Sequence, residues 1–346
     1  MNMGKKMFDF VIGNPPYQEE SAGNGRQNPI YHLFMNEAYK VSNCTELIHP
    51  ARFLFNAGLT PKAWNEERLN DCHFKVLEYE SDASKIFPTT EIKGGVAITI
   101  EDFGQEFKPL RIFTKYTQLN DLVEKVFSIH QGDCVDSVVS SRGCYRLTDV
   151  FFEDFPFVRS RLGKGTGNMI ASNFFENNPE VYVQNPEVND DYYGFLCRVK
   201  SKRTMCYLNK KYILKNDFLE TYNIACSKSN GSGIFGEVLT STEILKPNEG
   251  ATDTFISIGQ FKTETEVKNM QKYLKTKFLR ALLGVKKVTQ DNPKSVWSMI
   301  PLEDMTDSSD IDWSKSIHEI DLQLYKKYGL DDEEIAFIEE KVKEME

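Results

Sequence analysis

The chain has 346 residues, enough for two or three domains. Hydrophobic residues at 40% and charged residues at 27% are ordinary for a globular protein and exclude wholesale disorder. No apolar run approaches the ~18 residues a membrane helix needs, and the N-terminus lacks a signal-peptide core, so a cytoplasmic location is expected. The seven cysteines show no C-x-x-C pair and no zinc-like spacing with the five histidines, so free thiols are expected and no metal.

The net charge of −9 is unevenly distributed. Glu303–Glu346 holds fifteen acids against five lysines, leaving residues 1–302 near neutrality. Leu196–Asn230 and Lys262–Lys287 each hold eight basic residues against two acids. An acidic total therefore does not exclude a nucleic-acid partner.

Phe8–Ile12 is a short apolar run stopped by Gly13 and two prolines, so it reads as a buried strand running into a loop. Gln18–Asn28 is polar and reads as a loop. Ile30, Leu33, Phe34, Ala38 and Val41 then follow helical spacing. Leu47–Ile48 begins a second strand, Pro61 opens a helix through about Leu69, and Phe74–Tyr79 and Gly95–Ile100 are further strands. Alternating strands and helices predict part of an α/β layered sheet.

From about Lys108 the texture changes. Leu119, Leu122, Val123, Val126 and Ile129 line one helix, and a stretch rich in aromatics and Asn follows. Val181–Val183, Tyr192–Val199 and Met205–Ile213 read as strands. One helix is predicted over Thr263–Leu283 with Gly284 as its stop, its inner face being Val267, Met270, Leu274 and Phe278. Ile317, Ile320, Leu324 and Tyr328 line a further helix, and Asp331 with Glu334 forms a capping box for the last one.

Asn14-Pro15-Pro16-Tyr17, directly after the first strand, is the strongest signal. A pattern of this kind arises by chance in roughly one chain of this length in a hundred, and it stands where α/β proteins place their sites. The exocyclic amine of adenine is a poor nucleophile because its lone pair is delocalised into the ring. Two acceptors on its N–H bonds, the Asn14 side-chain oxygen and the Pro15 carbonyl, would hold it and favour a pyramidal nitrogen. The prolines restrict the loop beforehand, and Tyr17 offers a face on which an extruded base can stack.

At these residues the chain resembles the N6-adenine DNA methyltransferases of type II restriction-modification systems. Phe8–Gly13, Tyr31-His32-Leu33-Phe34, Ile86-Phe87-Pro88 and Ile92–Val96 resemble that family's catalytic half. Asn230-Gly231-Ser232-Gly233 and the tail from Ile320 through Ile338 resemble its recognition region and C-terminus. The resemblance implies that Asn14, Pro15 and Tyr17 are catalytic, that Asn14 and Pro16 lie near the methionine end of S-adenosyl-L-methionine, and that double-stranded DNA is the substrate. A cognate restriction endonuclease is an implied partner.

Two departures from the family pattern stand out. Its glycine-rich cofactor loop usually lies upstream of Asn-Pro-Pro-Tyr, and thirteen residues precede Asn14 here. The cofactor-binding part is therefore expected on an upstream segment or a second polypeptide. The strand after Gly95 lacks the aromatic that often packs on the flipped base, unless Phe103 substitutes.

Gly231, Gly233 and Gly236 match G-x-G-x-x-G with Asp253 downstream, but no sustained helix follows, so a turn is the better reading. Gly163, Gly165 and Gly167 make a similar decoy. His32 and His49 are expected on a helix surface or a loop rather than as bases. Lys228, Ser229 and Asn230 are candidates for DNA contact.

The expected architecture is a partial Rossmann-like methyltransferase sheet (1–110), an α+β target-recognition domain (111–300) and an acidic helical tail (301–346). The expected reaction is methyl transfer to the N6 of a flipped adenine. Two rivals remain: a catalytically silent DNA-recognition subunit, and a glutamine-N5 protein methyltransferase, which uses the same tetrapeptide.

Overall fold

A computed structural model describes residues 6–19, 28–55, 59–88, 92, 94–114, 116–163, 165–186, 191–231, 234–287 and 289–345. Gly233 and Lys93 lie outside the described residues. The chain divides into two units, Met1–Asn120 and Asp121–Glu346. The acidic residues 301–346 lie in the second unit with 121–300.

In the first unit, β1 (Phe8–Gly13), α1 (Tyr31–Val41) and β2 (Ser42–Pro50) form a strand–helix–strand unit whose strands pair in parallel, Phe8 opposite Ser42 and Gly13 opposite Leu47. The helix α2 (Lys62–Leu69) follows Pro61, whose fixed φ suits a helix start. Then come β3 (Phe74–Glu80) and β4 (Val96–Asp102). The sheet order is β1-β2-β4-β3, with β4 antiparallel to both of its neighbours. It is a mixed four-stranded sheet with helices, in keeping with part of an α/β layered sheet.

The core of this unit joins Tyr31, Met35 and Tyr39 of α1 to Trp64 and Leu69 of α2, with Leu47, Phe53, Phe74 and Ala97 beneath. The buried face of α1 is thus a different stripe from the apolar set that marks the helix in the sequence. Leu33 and Phe34 stand 53% and 47% exposed while Tyr31 and Met35 are buried. Apolar spacing alone could not decide which of two apolar stripes faces the sheet.

The two sheet edges differ. On β3 a register shift between Val76 and Glu78, with exposed Lys75 and Glu78, blunts the edge against further pairing. On β1 the side chains of Phe8, Phe10 and Ile12 are 49%, 52% and 72% exposed, and the outer side of the strand is unpaired among the described residues. The expected buried strand is an open apolar edge.

The second unit begins within α3 (Thr117–Ile129). Two short helices, α4 (Asp149–Asp154) and α5 (Phe174–Asn177), bring Phe151, Phe152, Phe174 and Phe175 into a core with Phe195. Strands β5 (Tyr192–Val199) and β6 (Lys202–Asn209) form a hairpin, and β5 pairs in parallel with β9 (Glu249–Ala251). A second sheet places β7 (Tyr222–Ser227) between β8 (Thr242–Leu245) and β10 (Phe255–Phe261). Residues 181–183, predicted as a strand, contribute one isolated bridge from Val183 to Tyr207.

The helix predicted over Thr263–Leu283 is two helices, α6 (Glu264–Lys275) and α7 (Lys277–Lys286). Thr276 breaks them. Its backbone is extended and its buried hydroxyl accepts the Leu279 N–H as the cap of α7. Gly284 lies inside α7, where a Cβ would stand 2.5 Å from the Phe235 ring, so it serves close packing in place of the predicted stop. The predicted inner face is correct, for Val267, Met270, Leu274 and Phe278 are fully buried. Capping boxes open α6, α8 (Ile317–Lys327) and α9 (Asp332–Lys341). No helix among the described residues is long and apolar enough to cross a membrane.

Candidate active site and basic surfaces

β1 delivers Asn14-Pro15-Pro16-Tyr17 at its carboxyl end. Asn14 and Pro16 are exposed, whereas Pro15 and Tyr17 are half-buried. The loop is fixed from behind: the Tyr17 carbonyl accepts the Ile30 N–H at 3.2 Å, and Gln18 bridges Pro29. The Tyr17 ring meets Phe87 edge-on, with centroids 6.3 Å apart. Its hydroxyl oxygen is shielded from solvent and has no partner at ordinary hydrogen-bond geometry among the described residues. Burial raises its pKa, and the nearby Asn14 side chain tempers that rise without reversing it.

Strand register identifies what else stands at this end of the sheet. Pro50 pairs with Val96, and Glu80 pairs with Val96 from the other side, so the segments after β2, after β3 and before β4 all share the end that carries Asn14. Phe87 belongs to the segment after β3. Phe103 cannot substitute for the missing aromatic, because it follows Asp102 at the opposite end of the sheet, where its N–H donates to the Asn43 carbonyl. The second aromatic beside Tyr17 is Phe87. The sequence contained its Ile86-Phe87-Pro88 motif, but spacing gave no sign that it meets Tyr17.

The two histidines are core residues, correcting their expected surface placement. His49 is fully buried on β2, its Nε2 lies 2.7 Å from the Thr99 hydroxyl, and its ring stacks on Tyr31. Burial pushes its pKa down to about 4, so it is neutral near pH 7. His32 packs edge-on to Trp64 and is also buried. Neither is poised as a base.

The glycine loop of the second unit is a packed turn. Gly231 and Gly236 both have positive φ. A Cβ on Gly236 would stand 2.2 Å from the Lys341 carbonyl oxygen, and the Gly236 carbonyl accepts the Lys343 N–H at 3.0 Å. No helix follows it before β8. Asp253, the acid that the spacing would set against a ribose, is instead buried and engaged: it accepts from the Ser172 backbone and hydroxyl and from Arg142 and Lys228. Burial alone would raise its pKa, but those donors outweigh burial and hold it below the usual carboxylate range. Gly165 and Gly167 lie in a turn with open space where a Cβ would go. Among the described residues, then, Asn14 and Pro16 have no glycine cradle for an adenosine to accompany them.

Of the three candidate DNA contacts, two are on the surface. Lys228 is partly exposed and held by Asp253 at 3.2 Å, and Ser229 is exposed, its hydroxyl donating to Asp291. Asn230 is buried, and both ends of its amide are engaged, with the Val238 carbonyl and the Asn292 amide. It holds the turn and does not present an edge to a ligand.

The Eco57I restriction-modification methylase family model matches residues 1–87. A protein of Mycoplasma pneumoniae described as an uncharacterized adenine-specific methylase is 30% identical over 122 residues, covering 34% of this chain and 28% of that protein. The chain thus spans less than a third of the length of that curated relative. The crystal structure of the type IIG restriction endonuclease BpuSI aligns over 92% of this chain and 48% of its own, at 12% identity and a TM-score of 0.34, too low to carry an argument. The resemblance to the adenine methyltransferases of restriction-modification systems that Asn14–Tyr17 implies is therefore supported independently by a family model over residues 1–87 and by the adenine-specific methylase relative.

Proposed function

We propose that the chain is the catalytic and DNA-recognition part of a site-specific DNA adenine-N6 methyltransferase of restriction-modification type. The observation that carries this reading is Asn14-Pro15-Pro16-Tyr17 at the open carboxyl end of β1, with Phe87 against Tyr17. The Asn14 oxygen and the Pro15 carbonyl accept the two N–H bonds of the target amine and favour the pyramidal nitrogen. Tyr17 receives the base extruded from the duplex. Bound S-adenosyl-L-methionine supplies the methyl group. No side-chain base is required, because the methylated amine is acidic enough to lose its proton to water, which agrees with the neutral, buried His49.

The cofactor-binding part, whether upstream on the same polypeptide or on a second one, adds as a strand to the open edge of β1. The exposed Phe8, Phe10 and Ile12 favour this reading. The second unit recognises double-stranded DNA, with Lys228 and Ser229 on the contacting side and Asn230 fixing their turn. The enzyme works in the cytoplasm, opposite a cognate restriction endonuclease.

The test is mass spectrometry of DNA from a host expressing the chain together with a cofactor-binding part. N6-methyladenine confined to one sequence context is expected. Unmodified DNA from a well-folded complex would favour a silent DNA-recognition subunit instead.

A further inference from the structure

The two basic segments read from the sequence have different fates. In Lys262–Lys287, six of eight cations are engaged or buried: Lys268 pairs with Glu264, Lys277 with Glu339, Lys272 donates to the Trp313 and Lys315 carbonyls, Lys286 to Ser298, Lys287 to the Thr289 carbonyl, and Arg280 is 2% exposed. Much of this pairing is with the acidic tail, so this segment is an internal partner of the fold.

The tip of the β5–β6 hairpin has no such counterpart. It reads Arg198-Val199-Lys200-Ser201-Lys202-Arg203, four cations in six residues, and all four are exposed. Arg198 faces Arg203 directly across the strands, an arrangement that like charges make unfavourable. Lys200 and Ser201 form the two-residue loop with φ of +48° and +64°, a conformation for which Asn-Gly is the ordinary choice. Only Arg203 of the four has an ion pair among the described residues, with half-exposed Glu243 at 3.3 Å. Repulsion and backbone strain are thus both tolerated to keep positive charge at this place.

At the base of the tip lies a cleft of about 410 Å³. Arg198, Arg203 and Lys228 line it with the hydroxyls of Ser227, Ser229 and Thr254, and no carboxylate among the described residues lines it. Buried Asp253 anchors Lys228 and also Arg142, whose side chain is 69% exposed, so one further cation is fixed to the same carboxylate. Cations with hydroxyl donors around a carboxylate-free cleft are the chemistry of phosphate recognition. A two-stranded ribbon also has the dimensions that a B-form major groove admits.

We propose that the β5–β6 hairpin tip and the cleft at its base are the surface through which this chain grips double-stranded DNA, the cleft holding backbone phosphate and the tip entering the major groove. The proposal deepens the methyltransferase reading and rests on it for the choice of DNA over other polyanions.

The test is fluorescence anisotropy of a labelled 30-base-pair duplex against the full chain over a salt series, comparing the parent with Arg198→Gln/Arg203→Gln, which removes two cations of the cleft, and with Lys262→Gln/Lys268→Gln. Each phosphate contact adds about 0.9 to the slope of log affinity against log salt. The hairpin variant should therefore lose about 1.8 in slope and bind roughly 60-fold more weakly at 0.1 M salt. The α6 variant should bind like the parent. Circular dichroism and melting should be unchanged, because both replaced side chains are exposed. Parental affinity and slope in the hairpin variant would overturn the proposal while leaving the methyltransferase reading intact. Failure of the parent to bind any duplex at low salt would overturn both. Tighter binding to an A-form RNA duplex, whose major groove is too narrow for a ribbon, would overturn the assignment to DNA.

Discussion

Tyr17 meets two environments at once, a half-exposed ring and a shielded hydroxyl that no described residue bonds at ordinary geometry. The ring is the functional part in this account, so Tyr17→Phe should keep most activity and leave stability unchanged or slightly improved, since it deletes an unsatisfied oxygen. Tyr17→Ala removes a stacking face worth about 1–3 kcal/mol and should weaken capture of the base. Phe87→Ala, which removes the edge that steadies Tyr17, should act in the same direction. The reporter is 2-aminopurine at the target position in a complex reconstituted with the cofactor-binding part: the Ala variants lose extrusion fluorescence and Tyr17→Phe retains it. Equal fluorescence in Tyr17→Ala would remove Tyr17 from base capture. The tetrapeptide was legible from the sequence because the chemistry needs those residue types side by side. Phe87 was not legible as its neighbour, because sheet register, seventy residues along the chain, sets the contact.

Among the elements, the strands of the first unit and the β5–β6 pair were read from the sequence, whereas β7 to β10 were not and residues 181–183 give one bridge. β1 and β4 are where apolar runs predicted them, since a run bounded by Gly and Pro has few alternatives. The break at Thr276 and the role of Gly284 follow from tertiary capping and from the Phe235 ring, neither of which periodicity records. The open edge of β1 supports a prediction with opposite outcomes in two assays. Phe10→Lys should change the stability of the chain by no more than about 0.5 kcal/mol in urea unfolding, because the side chain is already half in water. The same change should abolish assembly with the cofactor-binding part in analytical ultracentrifugation. Undiminished assembly would mean that β1 is not the joint. Gly236→Ala provides a contrasting case. A Cβ there meets the Lys341 backbone at positive φ, so stability should fall by at least 1–3 kcal/mol, while S-adenosyl-L-methionine affinity by calorimetry stays at its parental, weak level. Micromolar cofactor affinity lost on that substitution would restore the glycine loop as a nucleotide site.

Over the whole molecule, the acidic tail is best understood as a structural counterpart to the basic helices of the second unit. Lys277 reaches Glu339, Lys125 reaches Asp331 and Glu334, and Tyr328 stacks on Phe278 while donating to Glu303. Asp321 of α8 lies beneath, accepting the Lys277 and Phe278 N–H groups at the start of α7. Burial pushes its pKa from 3.8 up to about 6, more than those hydrogen bonds lower it. A carboxyl raised in the folded state contributes stability that is complete below its unfolded pKa and is lost as pH rises through the folded value. Between pH 4 and 6.5 this group alone should cost about 2 kcal/mol on rising pH. Asp321→Asn, which keeps an acceptor but cannot ionise, should flatten that part of the urea midpoint's pH dependence. An unchanged pH profile would show that Asp321 does not titrate there.

The action of Asn14 on the reacting amine is tested by single-turnover methylation of duplex DNA, using the complex reconstituted with its cofactor-binding part and radiolabelled S-adenosyl-L-methionine at saturation. Asn14 is exposed at the end of β1, so Asn14→Ala should leave folding, assembly and 2-aminopurine extrusion intact. The loss of one preorganised acceptor should slow the chemical step by about 10²–10³. Methylation by Asn14→Ala at the parental single-turnover rate would contradict the assignment of this tetrapeptide as the active site.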